Sequence, residues 1–454
     1  MRVDRSKLPE VGPDPSFTFP SVCKVILPNG LSVWSVEHRK IPVVSCLLLL
    51  PGGSAEDPMD QAGVTSLTAA LLDEGCGKRS GLELHRLLGR LGTQLNVRVG
   101  MDATTLRLTM LRRFSNKALS LLAELVGEPR FEPEAFERLR KLRLDRLAQL
   151  REVPAAIADR AFAHVLYRDQ PYGHLPFGTE SAIRRLTRDD IVARHSQAYR
   201  PSEAIVILAG DATHAEFEQM AGEAFGDWKA VDTEGQQSER IPHGESKRAS
   251  LVVWDRPQAA QSELRIGHVA VARNTPDYFP LLVMNTALGG QFTSRINLNL
   301  REAKGYTYGA QSSFDFRREP GPFSVQTSVQ TDVTANAIQE VLGELHAVRD
   351  GRPLTDSEIV HAKRTLTRGY PQGFETANQI VRGLAQLALH DLPDDHFTQF
   401  SPSVTAVQSE DIVRVTQTHL DPLHLSTVVV GDLTVIKDGL QDIGLDAPEK
   451  IVLP

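Results

Sequence analysis

Residues 287–309 hold the side chains that are best suited to chemistry. The segment reads ALGGQFTSRINLNLREAKGYTYG and contains the pair Gly289 and Gly290, followed by Arg301 and Tyr308. Paired glycines let the backbone approach a ligand closely. Arginine offers a planar fork of N–H donors and tyrosine a phenolic O–H, so Arg301 and Tyr308 could converge on one carbonyl or carboxylate. An arginine near a helix C-terminus can equally interact with the helix dipole or with a neighbouring carboxylate. The residues alone leave both interpretations open.

The same segment resembles a signature of the pitrilysin/insulysin family of zinc peptidases. The pattern is G-G-x-F-[ST]-S-R, then L-R-E, then K-G-x-x-Y-G. The resemblance implies that Arg301 and Tyr308 bind the substrate backbone and stabilise the tetrahedral intermediate, with Gly289, Gly290 and Phe292 binding substrate. It places Tyr308, rather than Tyr306, in the family role. The remaining matching positions are Thr293, Ser294, Arg295, Leu300, Glu302, Lys304 and Gly305.

The family's zinc ligands have no counterpart in this chain. The resemblance implies an H-x-x-E-H helix, in which two histidines at i and i+4 bind zinc and the glutamate activates water. Here the matching helix begins at Gly63, and Ser66 and Ala70 take the ligand positions while Ala69 takes the general-base position. The third ligand would fall at Asp145–Arg146, with Arg146 the better match. A hydroxyl and two methyl groups cannot hold zinc, so we predict no metal site and no cofactor in this chain.

Other candidate metal ligands are equally unconvincing. The cluster from His390 to His396 lies in a proline-interrupted polar turn and is interpreted as a solvated loop. Cys23, Cys46 and Cys76 are odd in number and have no C-x-x-C spacing, so they are interpreted as small buried hydrophobic residues.

An internal duplication organises the chain. Residues 190–211 align without gaps to residues 411–432 at a constant offset of 221, and Asp190/Asp411, Pro201/Pro422 and Gly210/Gly431 are among the identical pairs. Each copy is typical of a helix, a proline break and an apolar strand that ends in Gly-Asp.

The duplication predicts an α+β protein of two homologous domains, each a mainly antiparallel sheet covered by helices. We expect an N-terminal domain over 1–228, a polar linker over 229–249 and a C-terminal domain over 250–454.

Local patterns predict the elements of each half. Asn29–Gly30 is typical of a hairpin turn between two strands. Helices are expected over 62–75, 82–92, 115–127 and 133–152 in the first half, and near 334–349, 355–369 and 375–390 in the second. The second half also predicts strands over 251–271 and 308–330, with a mostly helical stretch over 277–302 between them. In the helix over 133–152, the residues expected to face the core are Phe136, Leu139, Leu142, Leu147 and Leu150.

Composition excludes several classes of function. A net charge of −7 gives no basic surface for nucleic acid, and the longest apolar run, residues 43–50, is too short to span a membrane. The N-terminus lacks the apolar core of a secretory signal. By analogy with exported bacterial relatives, a periplasmic location with a removed leader is favoured over a cytoplasmic one.

Together these features predict a non-catalytic subunit of a heterodimeric zinc peptidase. The partner would be a homologous subunit that bears H-x-x-E-H and the zinc, and the substrate would be a peptide extended along a sheet edge. An inert scaffold and a peptide-binding homodimer of the same fold are the alternatives.

Overall fold

The computed structural model describes residues 12, 17–229, 250–443 and 449–451. Strands and helices alternate along both halves of the described chain. The strands are β1 (Cys23–Ile26), β2 (Ser32–Glu37), β3 (Val43–Pro51), β4 (Gly75–Cys76), β5 (Arg79–Ser80), β6 (Asn96–Val99), β7 (Ala103–Leu111), β8 (Ile205–Gly210), β9 (Ser250–Asp255), β10 (Gln261–Val269), β11 (Ala310–Phe314), β12 (Pro322–Gln330), β13 (Ser426–Gly431) and β14 (Glu449–Lys450). The expected linker over 229–249 lies, apart from its first residue, outside the described residues, so the domain boundaries remain a prediction.

The helices fall close to the predicted positions. They are α1 (Val64–Leu71), α2 (Gly81–Arg90), α3 (Ser115–Gly127), α4 (Pro133–Leu150), α5 (Pro154–Tyr167), α6 (Glu180–Arg185), α7 (Arg188–Ala198), α8 (His214–Phe225), α9 (Tyr278–Asn285), α10 (Arg295–Asn297), α11 (Thr334–His346), α12 (Asp356–Arg368), α13 (Ala377–Leu389), α14 (His396–Ala406), α15 (Ser409–His419) and α16 (Leu433–Gln441). In α4, Phe136 and Leu147 are buried as expected, but Leu142 is exposed. The apolar stripe of α4 is therefore narrower than its leucines suggest.

The first sheet has the strand order β1-β2-β8-β3-β7-β6. Strands β2 and β8 are parallel, and the other neighbours are antiparallel. The predicted hairpin is confirmed, because β1 pairs with β2 across a turn in which Gly30 has a φ of 86°. Glycine adopts this left-handed backbone conformation without the steric cost that a Cβ would bring.

The second sheet repeats the arrangement of the first. Its order is β11-β12-β10-β13-β9-β14, with β9 and β13 parallel and β13, β10, β12 and β11 antiparallel in turn. Strands β9, β10, β11, β12 and β13 thus occupy the places of β2, β3, β6, β7 and β8. The offset of 221 carries β8 onto β13 residue by residue. The α+β fold with two related halves is confirmed.

The aspartates that the two copies share have the same role. Asp190 accepts a hydrogen bond from the Thr187 backbone N–H at 2.8 Å, and Asp411 accepts one from the Gln408 backbone N–H at 3.0 Å. Each carboxylate closes the first turn of its helix, α7 or α15, where backbone N–H groups lack partners within the helix.

Each sheet is covered on one face by a helix from the other half. Helix α13, from the C-terminal half, packs on β3 and β8, and helix α5, from the N-terminal half, packs on β10 and β13. The two halves therefore share their cores.

Two of the three cysteines are buried, as expected for small hydrophobic residues. Cys46 and Cys76 are buried, Cys23 is half-buried, and all three are free thiols. Within the described ranges, no helix is both long enough and apolar enough to cross a membrane.

Candidate functional site

The glycine pair lies where a helix widens and turns toward an edge strand. After α9, residues Thr286–Gly290 form a turn of π-helix, and a Cβ on Gly289 would lie 2.4 Å from Ser312 Oγ and 2.8 Å from Ser312 N. Only a residue without a Cβ allows this approach of the turn to β11. The close contact of Gly289 is thus with its own sheet, whereas Gly290 is exposed.

Two asparagines close the outer edge of β11. Asn297 Nδ2 donates to the Ala310 carbonyl at 2.6 Å, and Asn297 Oδ1 accepts from the Ala310 N–H at 2.9 Å. Asn285 Nδ2 donates to the Ser312 carbonyl at 3.1 Å. An edge strand normally presents such groups to any strand that can pair with it. These side chains satisfy them instead.

Arg295 fastens the segment to helix α12. Its guanidinium is buried, pairs with Glu358, and donates to the carbonyls of Arg352 and Pro353. Partial burial alone would raise the pKa of Glu358, but hydrogen bonds from Arg295 and Thr355 outweigh it and lower that pKa to about 2. Among the residues that match the family signature, Arg295 is a structural anchor.

Arg301 lies on a second turn of π-helix, Leu298–Ala303, with its guanidinium over an exposed ring. Its Cζ is 4.0 Å from the centre of the Phe292 ring, and its Nη1 is 3.2 Å from Glu302 Oε1 in an ion pair without hydrogen-bond geometry. The side chain is 32% exposed and Phe292 is 65% exposed. The neighbouring carboxylate expected from the residues alone is therefore present. Nη1 is buried without a hydrogen-bond partner among the described residues, although the side chain as a whole is partly exposed.

The two tyrosines of the loop differ in how far their side chains are exposed. Tyr306 packs against the core of the C-terminal half, and its N–H donates to the Leu300 carbonyl at 2.9 Å. Tyr308 is 93% exposed, in a loop that Thr307 tightens by a hydrogen bond from the Gly309 N–H to its Oγ1 at 3.1 Å. Of the two phenols, Tyr308 is the more exposed and therefore the more accessible to a ligand.

A cleft of about 480 Å³ lies beside these residues, and Gly289, Gly290 and Phe292 all line it. Its wall also contains Glu263 and Arg265 of β10, which the sequence analysis missed. Arg265 is buried and pairs with Glu263 at 3.2 Å and with Asp159 of α5 at 2.8 Å. The signal in the sequence was the pair of charged residues at alternate positions of the strand, which places both on one face, with the apolar Leu264 and Ile266 on the other.

The face of α1 that would carry zinc ligands is open but unsuited to metal. Ser66 and Ala70, four residues apart, are the half-exposed positions of this helix, whereas Ala69 is buried. A single hydroxyl cannot replace two imidazoles as ligands, so these residues do not fit a zinc ion. Across the residues that the structure describes, no group of three His, Cys, Asp or Glu side chains could hold a metal.

An arginine from α4 occupies this face, one helix turn from the expected one. Arg143 donates through Nη1 to Ser66 Oγ. Arg146, which the sequence predicted to meet this position, is exposed and bonds to Gln149 at 3.2 Å.

The interpretation of the His390–His396 cluster as a solvated loop is confirmed for its middle, where the three aspartates and Pro393 are exposed between α13 and α14, but the two histidines at its ends are half-buried. His396 begins α14 and its Nε2 lies 3.1 Å from Arg273 Nη2, while His390 is half-buried at the end of α13. Burial, helped by the positive charge of Arg273, lowers the pKa of both imidazoles to about 4.

Comparison with known families agrees with the fold. The family model described as "Insulinase (Peptidase family M16)" matches residues 32–180, and the one described as "Peptidase M16 inactive domain" matches residues 185–366. The chain belongs to the M16 peptidase family. The M16 relatives include an uncharacterized zinc protease of Mycobacterium leprae, 25% identical over 81% of this chain and 82% of its own length. A protein described as a non-peptidase homolog, YmxG of Helicobacter pylori, is 22% identical over 75% of this chain and 78% of its own.

Two solved structures share this fold. A peptidase M16 inactive domain from Pseudomonas fluorescens superimposes with a TM-score of 0.84 at 24% identity, covering 90% of this chain and 98% of its own. A protease from Helicobacter pylori superimposes with a TM-score of 0.86 at 20% identity, covering 91% and 100%. At these identities, the likeness establishes the fold.

Proposed function

We propose that this M16 chain is the non-catalytic subunit of a two-chain zinc peptidase. One contrast carries the proposal. Arg301 and Tyr308 reach solvent beside a cleft lined by glycines and Phe292, whereas the α1 face of the same chain cannot hold zinc. A donor pair without a metal site has a physical use if a second chain brings the metal to it.

The two side chains suit stabilisation of an oxyanion. As water adds to a peptide carbonyl, the oxygen gains negative charge, and donors that are already oriented toward it lower the barrier most. The Phe292 ring limits the directions that the Arg301 guanidinium can take, because a cation is held over the face of an aromatic ring. Tyr308 would supply its phenolic O–H to the same oxygen. The partner's zinc and its bound water would supply the nucleophile.

The sheet edges restrict where an extended peptide can pair. At β11 the outward backbone groups of Ala310 and Ser312 are already bonded to asparagine side chains. The equivalent edge strand in the N-terminal half is β6, whose one strand neighbour is β7. Of these two equivalent edge strands, β6 is therefore the better suited to pair with a peptide, with the Arg301 and Tyr308 loop contacting the peptide from the other half.

The test compares the cleavage of a library of quenched fluorescent peptides by three protein samples with zinc present. These are this chain alone, an H-x-x-E-H relative from the same organism alone, and both together. Activity that requires both chains supports the proposal. Full activity of the relative alone, unchanged by this chain, contradicts it and favours the scaffold.

Variants of the loop then separate catalysis from assembly. Arg301→Ala and Tyr308→Phe should each lower kcat of the mixture by roughly 10²–10³, as removal of one oxyanion donor does. Tyr306→Phe is the matched control, since this phenol packs on the core and its loss should leave kcat unchanged. Co-elution of the two chains checks assembly, and normal turnover by both loop variants would refute the assigned roles.

A further inference from the structure

A lone cation covers the open face of α1. Arg143 extends from α4, donates through Nη1 to Ser66 Oγ, and places Nη2 3.5 Å from the Ser66 carbonyl. Its Cζ is 4.6 Å from the centre of the Phe177 ring, which is 44% exposed. Ala70, the other half-exposed position of the helix, adds only a methyl group to this face.

Among the described residues, Arg143 is the arginine of α4 that combines partial burial with the lack of an acidic partner, since Arg146 also lacks one but is exposed. Arg138 pairs with Glu74 and Arg140 pairs with Glu137, but within the described ranges no carboxylate lies within ion-pair distance of Arg143. Burial lowers the pKa of Arg143 to about 10. A partly buried cation without a counter-charge is costly, and a leucine or methionine would fill the same space without that cost. The group is arranged to receive an anion.

We propose that Arg143, with Ser66 and Phe177, forms a binding site for a peptide carboxylate. Arginine presents five N–H donors and only Ser66 accepts from it here, so an edge of the guanidinium remains for a two-point contact with a carboxylate. The exposed Phe177 ring would contact an apolar side chain next to that carboxylate. A peptide supplies such a carboxylate either at its C-terminus or on a glutamate side chain. This site needs no zinc and does not depend on the roles proposed for Arg301 and Tyr308.

The test measures fluorescence anisotropy of three labelled peptides on the full chain. Fluorescein-Ala-Ala-Phe with a free C-terminus, its C-terminal amide, and fluorescein-Ala-Glu-Phe-amide differ in the presence and position of the peptide carboxylate, while the charge of the dye is common to all three. We expect the free acid, the glutamate peptide or both to bind roughly tenfold tighter than fluorescein-Ala-Ala-Phe-amide. This ratio corresponds to the binding energy of one charge-assisted hydrogen-bond contact. The peptide that gains affinity identifies the source of the carboxylate. The preference should weaken as salt increases.

Two substitutions on α4 make the test specific. Arg143→Gln should abolish the preference for carboxylate, whereas Arg146→Gln, a matched exposed arginine one turn along the same helix, should retain it. Thermal unfolding confirms that both variants are folded. Equal binding of the acids and the amide, binding of none of the peptides, or a preference that survives Arg143→Gln would each overturn the proposal.

Discussion

Replacing Glu358 by glutamine should destabilise the protein by removing the charge opposite Arg295. Glutamine is nearly the same size and its amide oxygen can still accept from Thr355, as Glu358 Oε2 does at 2.7 Å. What is lost is the ion pair with a guanidinium that is only 8% exposed. A buried cation without its partner charge is strongly unfavourable. The substitution therefore isolates the electrostatic part of the anchor.

The magnitude follows from the pKa of Glu358. Its pKa falls from an ordinary 4.5 to about 2 in the folded protein. This difference corresponds to roughly 3 kcal/mol of stability at neutral pH. Because 30% of the Glu358 side chain is exposed, solvent screening reduces the expected loss to about 2 kcal/mol.

The pH dependence of the stability difference between wild type and Glu358→Gln tests this reasoning. A carboxylate whose folded pKa is lowered stabilises fully above its unfolded pKa, and the stabilisation disappears as pH falls toward the folded value. Urea unfolding should thus separate wild type from Glu358→Gln by about 2 kcal/mol at pH 7 and bring them together near pH 2. Glu203→Gln is the control, since Glu203 is 54% exposed and 4.0 Å from Arg200, and should change stability by less than about 0.5 kcal/mol. Equal stabilities at pH 7, or a difference that persists at pH 2, would refute the reasoning.

Two further substitutions test the glycine turn and the buried histidines. Gly289→Ala should lower the free energy of unfolding by about 1–3 kcal/mol, because the added Cβ would meet the Ser312 backbone. Gly343→Ala lies inside α11 with nothing within 4 Å of the added Cβ, so it should raise that free energy by about 0.5–1 kcal/mol. Equal effects of the two substitutions would contradict this account. Burial lowers the pKa of His195 to about 4, although its Nε2 lies 2.9 Å from the Val126 carbonyl. As pH falls from 6.5 to 4, the unfolded chain therefore takes up a proton that the folded chain does not, and the stability of the wild type should fall over that range. His195→Gln should show a shallower decline than wild type in urea unfolding, with the exposed His85→Gln as control, and an unchanged slope for His195→Gln would count against it.

The sequence predicted the elements and the duplication because those features are local. The hairpin depends on two turn residues, Asn29 and Gly30, and the copies of β8 and β13 on apolar runs at a fixed offset. The exposed Tyr308 was chosen over Tyr306 from the family signature, and the structure separates them by burial.

The contacts that the sequence could not give depend on helix rotation and on distant chain segments. Helix α4 carries four arginines, and Arg143 and Arg146 lie one turn apart on nearly the same face, so spacing alone could not decide which one meets Ser66. The asparagines that close β11 were equally hidden, since an asparagine in a helical stretch is ordinarily solvated. An amphipathic pattern shows that a helix has an apolar face but not which sheet covers it.

The exchange of α5 and α13 bears on how such a chain could arise and whether it can be divided. Cutting it between the halves would leave each sheet without the helix that covers β3 and β8 or β10 and β13. Neither fragment would then be a self-sufficient folding unit, and the two should recover their structure only when mixed. In a precursor of half the length, each sheet would be covered if two copies paired so that the helix of each packed on the sheet of the other. That reciprocal arrangement is a twofold-symmetric dimer, and duplication with fusion would preserve its symmetry axis inside a single polypeptide.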